Sequence, residues 1–330
     1  MSEIQQAFIK AIKEKCTEPS LAVVLSELLH VNVDSAYRRM RGTTALTTDE
    51  IAILCKYFNI SFDSIMSYRN KLVPFQFNAM FKDKFHIIEY LQSIAQALKS
   101  MSQSKQGFIS MTAMDLPYFR QFGFKSLSRF KLFFWQRSVL NLESHRLKKF
   151  KAEEIIEDYE DITDQINFYY HGVKSFEIWA PESIDSTIKQ IQYYVESGLF
   201  TSKEDFEKIC DDLDNLMNKL EKEAESGRKS VNNELGMLSS GFEMYQSDIF
   251  ISNNCIQAST NNETYTYITF NSFNHLMTYS PEFSEECQKW IEQMRSKSIL
   301  LSEVSEKLRF QFFLSQRNKI AHLRNLFYTL

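Results

Sequence analysis

The segment LSELLHVNVDSAYRRMRG (25–42) decides the fold of the first part of the chain. Apolar residues follow helical spacing over 21–29, the break HVN at 30–32 interrupts that spacing, and a second helical stretch covers 33–41. Gly42 then supplies the left-handed residue on which helices commonly end. The segment therefore predicts two short helices joined by a tight turn.

Further short helices flank this pair on both sides. Apolar residues at helical spacing predict a first helix over 4–16. The sequence TTDE at 47–50 has the capping and acidic residues of a helix start and opens a fourth helix. The piece SFDSI (61–65) predicts a fifth. We therefore expect an all-helical, five-helix domain at 1–67.

Together with LTTDEIAILCKYFNISFDSI (46–65), the segment 25–42 resembles the Cro/C1-type helix-turn-helix of phage repressors and many bacterial regulators. The resemblance implies a lambda-repressor-like fold, in which the third helix enters the major groove of double-stranded DNA. The residues it places where the second and third helices touch are Leu25, Leu29, Val31 and Ala36.

The same resemblance implies which residues face the DNA. Arg38 is the first choice for a base contact, because a guanidinium bonds both acceptors of guanine in the major groove. Asn32 would contact a phosphate, and residues just after the helix would set the register through backbone contacts. The full set is Asn32, Val33, Asp34, Ser35, Tyr37, Arg38, Arg41, Thr43 and Thr44.

Three features depart from the family's pattern. His30 occupies the turn position usually held by glycine, so it must adopt a positive φ. Arg39 occupies the position of a core aliphatic residue, which predicts either a rotated third helix or an arginine stem buried along the surface. Basic and acidic residues balance across the domain, so we expect one copy to bind DNA weakly and to need a second copy.

The rest of the chain divides into a linker at 68–83 and a larger domain at 84–330. Apolar spacing predicts further helices, and the short segment 107–111 is strand-like. The β-rich pieces FEMYQSDIFI, CIQAS and TYTYITF predict a three-stranded antiparallel meander at about 241–270. The expected fold class is mainly α, with a helical domain followed by an α+β domain that has a small antiparallel sheet. The predicted helices of this second domain span 85–101, 127–140, 182–197, 202–226, 281–297 and 301–327.

Two features of the larger domain each allow two interpretations. Basic residues alternate with aromatic ones over 125–151, which is typical of a second phosphate-contacting surface or of a solvated face that pairs with the acidic run 153–164. Six apolar residues from Phe206 to Ala224 alternate steps of four and three, as in a coiled-coil seam. Because they span fewer than three heptads, they fit the domain core as well as a dimer-forming helix.

Patterns of common catalytic and metal sites do not occur. The six histidines never stand at metal-site spacing with one another or with a cysteine, and no nucleophile elbow or phosphate-binding glycine loop is found. We therefore expect no enzyme activity, no metal and no cofactor. Five scattered cysteines and the absence of a long uncharged apolar run indicate a cytoplasmic protein without a membrane segment.

As a whole, the chain resembles regulators of Bacteroidetes that join such a helix-turn-helix to a long uncharacterised C-terminal region. The resemblance implies a transcriptional regulator, and we expect a homodimer on a roughly palindromic operator, with a small-molecule or protein effector. Two alternatives stay open: an assembly module whose helix-turn-helix contacts protein, and an enzyme fused to a DNA anchor. The phrases that carry the resemblance are SAYRRMRG (35–42), RFKLFFW (129–135), FEIW (176–179) and KSILLSEVSEKLRFQFF (297–313).

Overall fold

The computed structural model contains two compact units, Met1–Phe75 and Gln76–Leu330. The division falls inside the predicted linker 68–83, of which 68–71 and 81–83 lie outside the described residues. The fifth predicted helix, 61–65, also lies partly outside them, at Asp63 and Ser64. The structure describes residues 3–58, 60–62, 65, 72–80, 87–154, 158–249, 251–260, 263–271 and 273–327.

The described part of the N-terminal unit consists of short helices around one apolar core. Phe8, Leu25 and Leu54 lie at the centre of this core and are fully buried. The four residues predicted between the second and third helices all belong to it, so that prediction is confirmed. The helices are α1 (Glu3–Lys15), α2 (Leu21–Leu28), α3 (Val33–Met40) and α4 (Thr48–Phe58).

The C-terminal unit is also rich in helices, and the structure as a whole is 56% helical, which agrees with a mainly α class. Among the described residues, none of the helices combines the length and the apolarity needed to cross a membrane. The helices are α5 (Ile87–Gln103), α6 (Tyr118–Gln121), α7 (Lys125–Phe134), α8 (Asp158–Gly172), α9 (Asp185–Glu196), α10 (Lys203–Ser226), α11 (Pro281–Ser296) and α12 (Glu306–Phe327).

Helix ends follow from local sequence signals, as α10 illustrates. The Ser202 hydroxyl accepts a hydrogen bond from the Asp205 N–H at 3.1 Å and caps the start of the helix. Gly227 ends it with a φ of 63°, a conformation that glycine adopts at little cost. The predicted helix over 127–140 is divided between α7 and a π-helical turn at Trp135–Val139.

Strands of the C-terminal unit form one mixed sheet in the described residues. Its order is β3-β4-β2-β1-β5-β6-β7, and β8 pairs with β4. Strand β2 is parallel to both β1 and β4, whereas the remaining pairs are antiparallel. The strands are β1 (Phe108–Ala113), β2 (Lys174–Trp179), β3 (Arg228–Asn233), β4 (Gly236–Gln246), β5 (Cys255–Ser259), β6 (Thr264–Phe270), β7 (Asn274–Thr278) and β8 (Ile299–Leu300).

The prediction of a small antiparallel sheet is therefore wrong. The three segments at 241–270 do form strands, and β5 and β6 do pair, but β2 and β1 lie between β4 and β5. Parallel strands need a crossover connection. Helices supply it between β1 and β2, and two helices followed by β3 supply it between β2 and β4. Which distant strands become neighbours depends on how those helices pack, and local alternation of residues does not encode it.

Side chains on the two faces of β2 enter different cores, because successive side chains of a strand point to opposite faces. Ile109 and Met111 of β1 join a cluster with α5 and α8. Trp179 of β2 joins a second cluster with α7, α10 and α12. Phe176 and Ile178 point to the other face and pack with α11. The sheet thus lies between helices on both faces.

The apolar stripe of α10 belongs to the second of these clusters. It packs against α7 and α12 of the same chain, so the interpretation of the stripe as domain core is confirmed. Burial against the chain's own helices also removes these side chains from the surface that a second copy could contact. The residues, each at most 2% exposed, are Phe206, Cys210, Leu213, Met217, Leu220 and Ala224.

Part of the basic stretch 125–151 is paired within the C-terminal unit. Lys125 and Arg129 both form ion pairs with Glu160 of α8, which belongs to the acidic run considered as their partner. Lys131 is buried, and its Nζ donates to a hydroxyl and an amide oxygen of α9 at 3.1 and 2.7 Å. These three cations are therefore already paired or buried, which disfavours a phosphate-contacting role for them.

Candidate functional site

The turn between α2 and α3 sets the start of α3. His30 adopts a φ of 52°, which confirms the left-handed conformation predicted from its position. Asn32 then caps the helix, because its Oδ1 accepts a hydrogen bond from the Ser35 N–H at 2.8 Å. The Asn32 side chain thus has a structural partner in this state, and its contact with a phosphate stays a prediction.

The loop after α3 folds back onto the last turn of the helix. Gly42 adopts a φ of 71°, and the N–H groups of Thr43 and Thr44 both donate to the Arg38 carbonyl oxygen, at 3.0 and 3.3 Å. The Thr43 hydroxyl donates to the same oxygen at 3.0 Å. This loop therefore has one defined conformation beside the exposed end of α3.

Gln5 of α1 connects this loop to the rest of the unit. Its Nε2 donates to the carbonyl oxygens of Arg39 and Thr44 at 2.9 and 2.8 Å, and its Oε1 accepts from the Leu46 N–H at 3.2 Å. One side chain thus satisfies three backbone groups, one at the end of α3 and two in the loop after it. A polar residue in an amphipathic helix gives no local signal of such a role, so sequence reasoning missed it.

Arg39 is satisfied by an ion pair with α4. Its Nε and Nη2 donate to Glu50 Oε1 at 2.9 and 2.7 Å, and its side chain is only 15% exposed. Glu50 also accepts from the Thr47 N–H and donates its own N–H to the Thr47 hydroxyl, which is a capping box. The hydrogen bond from Arg39 lowers the pKa of Glu50. The polar residue at this core position therefore joins α3 to α4.

The outer face of α3 is open to solvent. Val33 and Tyr37 are 41% and 43% exposed, whereas Ala36 on the inner side is fully buried. The Arg38 guanidinium is exposed and donates to the Ser35 hydroxyl at 3.1 Å. Of the predicted DNA-facing residues, Ser35 and Thr44 are half-buried, and the exposed ones are Asn32, Val33, Asp34, Tyr37, Arg38, Arg41 and Thr43.

Charges on this face are few. Arg38, Arg41 and Asp34 are exposed there, while Arg39 is neutralised by Glu50. Affinity for DNA depends largely on how many phosphates the protein neutralises. The pairing of Arg39 therefore reduces the number of cations that this face could offer to a phosphate.

A buried group of charged side chains lies in the C-terminal unit. Arg120 Nε and Nη2 donate to Glu177 Oε1 at 3.0 and 2.6 Å, and Nη1 donates to Glu223. His171 Nε2 lies 3.1 Å from Glu223 Oε1, and the Tyr170 hydroxyl donates to Glu177. Burial opposes ionisation of Glu223, but Arg120 and His171 outweigh it and lower its pKa to about 2. Sequence reasoning missed this group because its members come from four separate elements.

Tyr90 of α5 and His275 of β7 meet inside the C-terminal unit. The Tyr90 hydroxyl donates to the Phe273 carbonyl oxygen at 2.9 Å and lies 3.2 Å from His275 Nδ1. Because the hydroxyl proton is directed to Phe273, Nδ1 carries the imidazole proton and donates to Tyr90, which leaves Nε2 as an acceptor. Burial lowers the pKa of His275 to about 4, so the ring is neutral at neutral pH.

His275 makes stability sensitive to pH. Its pKa is about 4 in the folded chain, against the ordinary histidine value of 6.5, so the unfolded chain takes up the proton first as the pH falls. The stabilisation that results from this difference in pKa is fully present above pH 6.5 and is lost as the pH falls towards 4. From about pH 7 to about pH 5 we expect a loss of about 2 kcal/mol in the free energy of unfolding.

Urea unfolding of the full chain at both pH values measures this effect. His275→Phe should remove that part of the pH dependence, whereas His322→Phe, at an exposed position, should retain it. An unchanged pH dependence in His275→Phe would assign the acid sensitivity to other groups, such as His171, whose pKa is also lowered by burial.

Comparison with known proteins gives one family match. The family of the BetR domain, a domain associated with helix-turn-helix regulators, matches residues 11–115. No curated protein and no solved structure matches the chain. The match begins within α1 and ends just beyond β1, so it includes the whole of α3 and the loop after it. The part of the chain that carries the exposed face of α3 is thus similar to the BetR domain.

Proposed function

We propose that the chain is a sequence-specific DNA-binding transcriptional regulator of the Cro/C1 helix-turn-helix type, with α3 as its recognition helix. The outer face of α3 carries this proposal, because Ala36 and Arg39 attach the helix to its unit while Arg38 and its neighbours are open to solvent. A short helix attached on one side and exposed on the other fits the major groove. The BetR match supports a regulatory role.

Each exposed residue of α3 and its loop has a distinct role in this proposal. Arg38 leaves the Ser35 hydroxyl and bonds the two acceptors of a guanine. Arg41 and Thr43 contact phosphates, which fixes the register on the duplex without reading sequence. Asn32 remains the cap and directs the free N–H groups of the first turn towards a phosphate.

Two copies act together in the proposed complex, joined through the C-terminal unit. Because one face of α3 has few positive charges, a second copy adds phosphate contacts and raises the effective concentration of the first. The two half-sites then lie one helical turn apart, about 34–36 Å between centres. Light scattering of the free chain and of its complex with operator DNA tests this dimer. No catalytic step is part of the proposal.

Arg38→Ala tests the base contact. We expect the free energy of binding to the operator to weaken by about 1–3 kcal/mol. The preference for guanine at one base pair should also be relaxed. Arg41→Ala should instead weaken binding to all sequences and reduce the salt slope by about one. Fluorescence anisotropy with fragments of the gene's own promoter, at several salt concentrations, measures both. Lys56→Ala, an exposed residue of α4 with the same charge change, is the control. Absence of salt-dependent binding by the unaltered chain would refute the proposal.

A second function is favoured by the apolar part of the same face. Val33 and Tyr37 are exposed there beside few charges, and aromatic residues with few charges are typical of the centre of protein interfaces. In this alternative the helix-turn-helix contacts another protein in an assembly. It would be preferred if Arg38→Ala left DNA binding unchanged while Tyr37→Ala removed a protein partner.

A further inference from the structure

We propose that the C-terminal unit contains a binding site for a neutral aromatic molecule that carries one hydroxyl group. The site is a cavity of about 370 Å³ next to α5 and the strands β1, β5, β6 and β7. Its volume lies within the range of small-molecule sites in proteins. This assignment rests on the C-terminal unit alone and does not depend on DNA binding.

Most of the cavity wall is apolar. Side chains of α5 form one side of it, and residues of the sheet form the other. Such a lining excludes water and favours an apolar ligand body. The main apolar lining residues are Ile94, Leu98, Met101, Ile109, Ile256 and Met277.

Hydrogen-bonding groups gather around His275, which also lines the cavity. The rings of Tyr118 and Tyr267 lie edge-on to the imidazole, with centroids 5.4 and 6.3 Å away. In the described part of the chain, neither tyrosine hydroxyl has a hydrogen-bond partner. With Nδ1 donating to Tyr90, the Nε2 atom of His275 accepts. A ligand hydroxyl can therefore donate to Nε2 and accept from a tyrosine, and the rings provide edges and faces for an aromatic body.

The site favours a neutral ligand over an ion. Among the described lining residues there is no Lys, Arg, Asp or Glu, and burial keeps His275 uncharged at neutral pH. An ionised group in such a place loses its hydration without gaining a counter-charge. A carboxylate or an ammonium of the same size should therefore bind more weakly than the hydroxyl compound.

The cavity reaches the surface beside α5. Ser93 and Ala97 line it and are exposed, and Phe77 is 61% exposed at the same edge. Next to Phe77, the backbone of Gln76 pairs with that of Met277, with N···O distances of 2.7 and 2.8 Å in the two directions. A ligand can thus enter along α5 while a hydrogen-bonded backbone forms part of the opposite wall.

The test uses the full chain and three probes of one shape: β-naphthol, naphthalene and β-naphthoate. Reverse titration calorimetry, with the probe in the cell, gives their affinities. We expect β-naphthol to bind at least roughly fivefold more tightly than naphthalene, since fivefold is the value of one of its two hydrogen bonds, and β-naphthoate to bind most weakly. Tightest binding of β-naphthoate would overturn the neutral-ligand assignment, and absence of β-naphthol binding would overturn the site.

Variants of α5 locate the binding. Ala97→Phe should weaken β-naphthol binding at least tenfold because the added ring occupies the entrance. Gln96→Phe, also exposed on α5 but outside the lining, should bind as the unaltered chain does. Equal affinities of these two variants would overturn the proposed location.

Variants of the polar groups test the hydrogen bonds. His275→Phe and, separately, Tyr118→Phe should reduce the preference for β-naphthol over naphthalene, with naphthalene binding retained as evidence that the cavity is intact. If β-naphthol keeps its full preference in both variants, the proposed hydroxyl contacts are wrong.

Discussion

Arg120→Met is expected to lower the free energy of unfolding of the C-terminal unit by about 3–5 kcal/mol. Arg120 donates to both Glu177 and Glu223, and all three side chains are at most 5% exposed. Methionine preserves most of the volume but removes the guanidinium that both buried carboxylates bind, although Glu223 keeps its contacts with Lys219 and His171. Removing one partner of a buried ion pair costs far more than the pair contributes when intact.

Urea unfolding followed by tryptophan fluorescence measures this loss, since Trp135, Trp179 and Trp290 all lie in the C-terminal unit. Arg146→Met is the matched control, because Arg146 is exposed and lies 3.9 Å from an exposed Glu143. We expect that variant to stay within about 0.5 kcal/mol of the unaltered chain. Equal stability of the two variants would show that the buried network is dispensable.

Phe130→Ala is the second substitution with a large expected effect. We expect it to lower the free energy of unfolding of the C-terminal unit by about 3–5 kcal/mol. Phe130 is fully buried in α7, and its ring centroid lies 5.6 Å from that of Phe150, 5.2 Å from Tyr194 and 6.0 Å from Phe200. Alanine at this position leaves a cavity among aromatic rings that cannot collapse to fill it.

The control for Phe130 is Phe310→Ala, since Phe310 is 55% exposed on α12. We expect only a small change in the free energy of unfolding of Phe310→Ala, measured by the same urea unfolding with tryptophan fluorescence. If only Phe130→Ala lowers the free energy of unfolding strongly, the aromatic residues between the cations of 125–151 serve the core. They are then not available to stack with nucleic-acid bases. Similar losses in both variants would contradict that assignment.

Much of the candidate site could be predicted from local sequence. The break at 30–32 and the glycine at 42 located the turn and the end of α3, and His30 has the positive φ expected of it. These signals are readable because helix spacing, caps and left-handed residues act within a few positions of one another. The exposure of Arg38 and Arg41 follows from the same spacing, whereas their contact with DNA awaits the binding experiments.

The partners of these residues were decided elsewhere in the fold. Arg39 pairs with Glu50 of α4, and Gln5 of α1 joins the backbone on both sides of Gly42. Nothing near Arg39 or Gln5 in the sequence specifies those contacts, because they form only when three helices pack together. In the proposed complex with DNA, the paired Arg39 is therefore not available to neutralise a phosphate.

By itself, the sequence determined most of the longer helices, the turn before α3 and the strand character of 241–270, all of which depend on neighbouring residues. It did not predict α6 or the 15-residue α8. Only the tertiary structure decided that β2 lies between β1 and β4 as a parallel strand, and that Arg120, Glu177 and Glu223 meet in one buried group. The physical reason is the same in each case. Contacts between distant segments depend on which apolar faces pack together, and that choice is made by the whole fold.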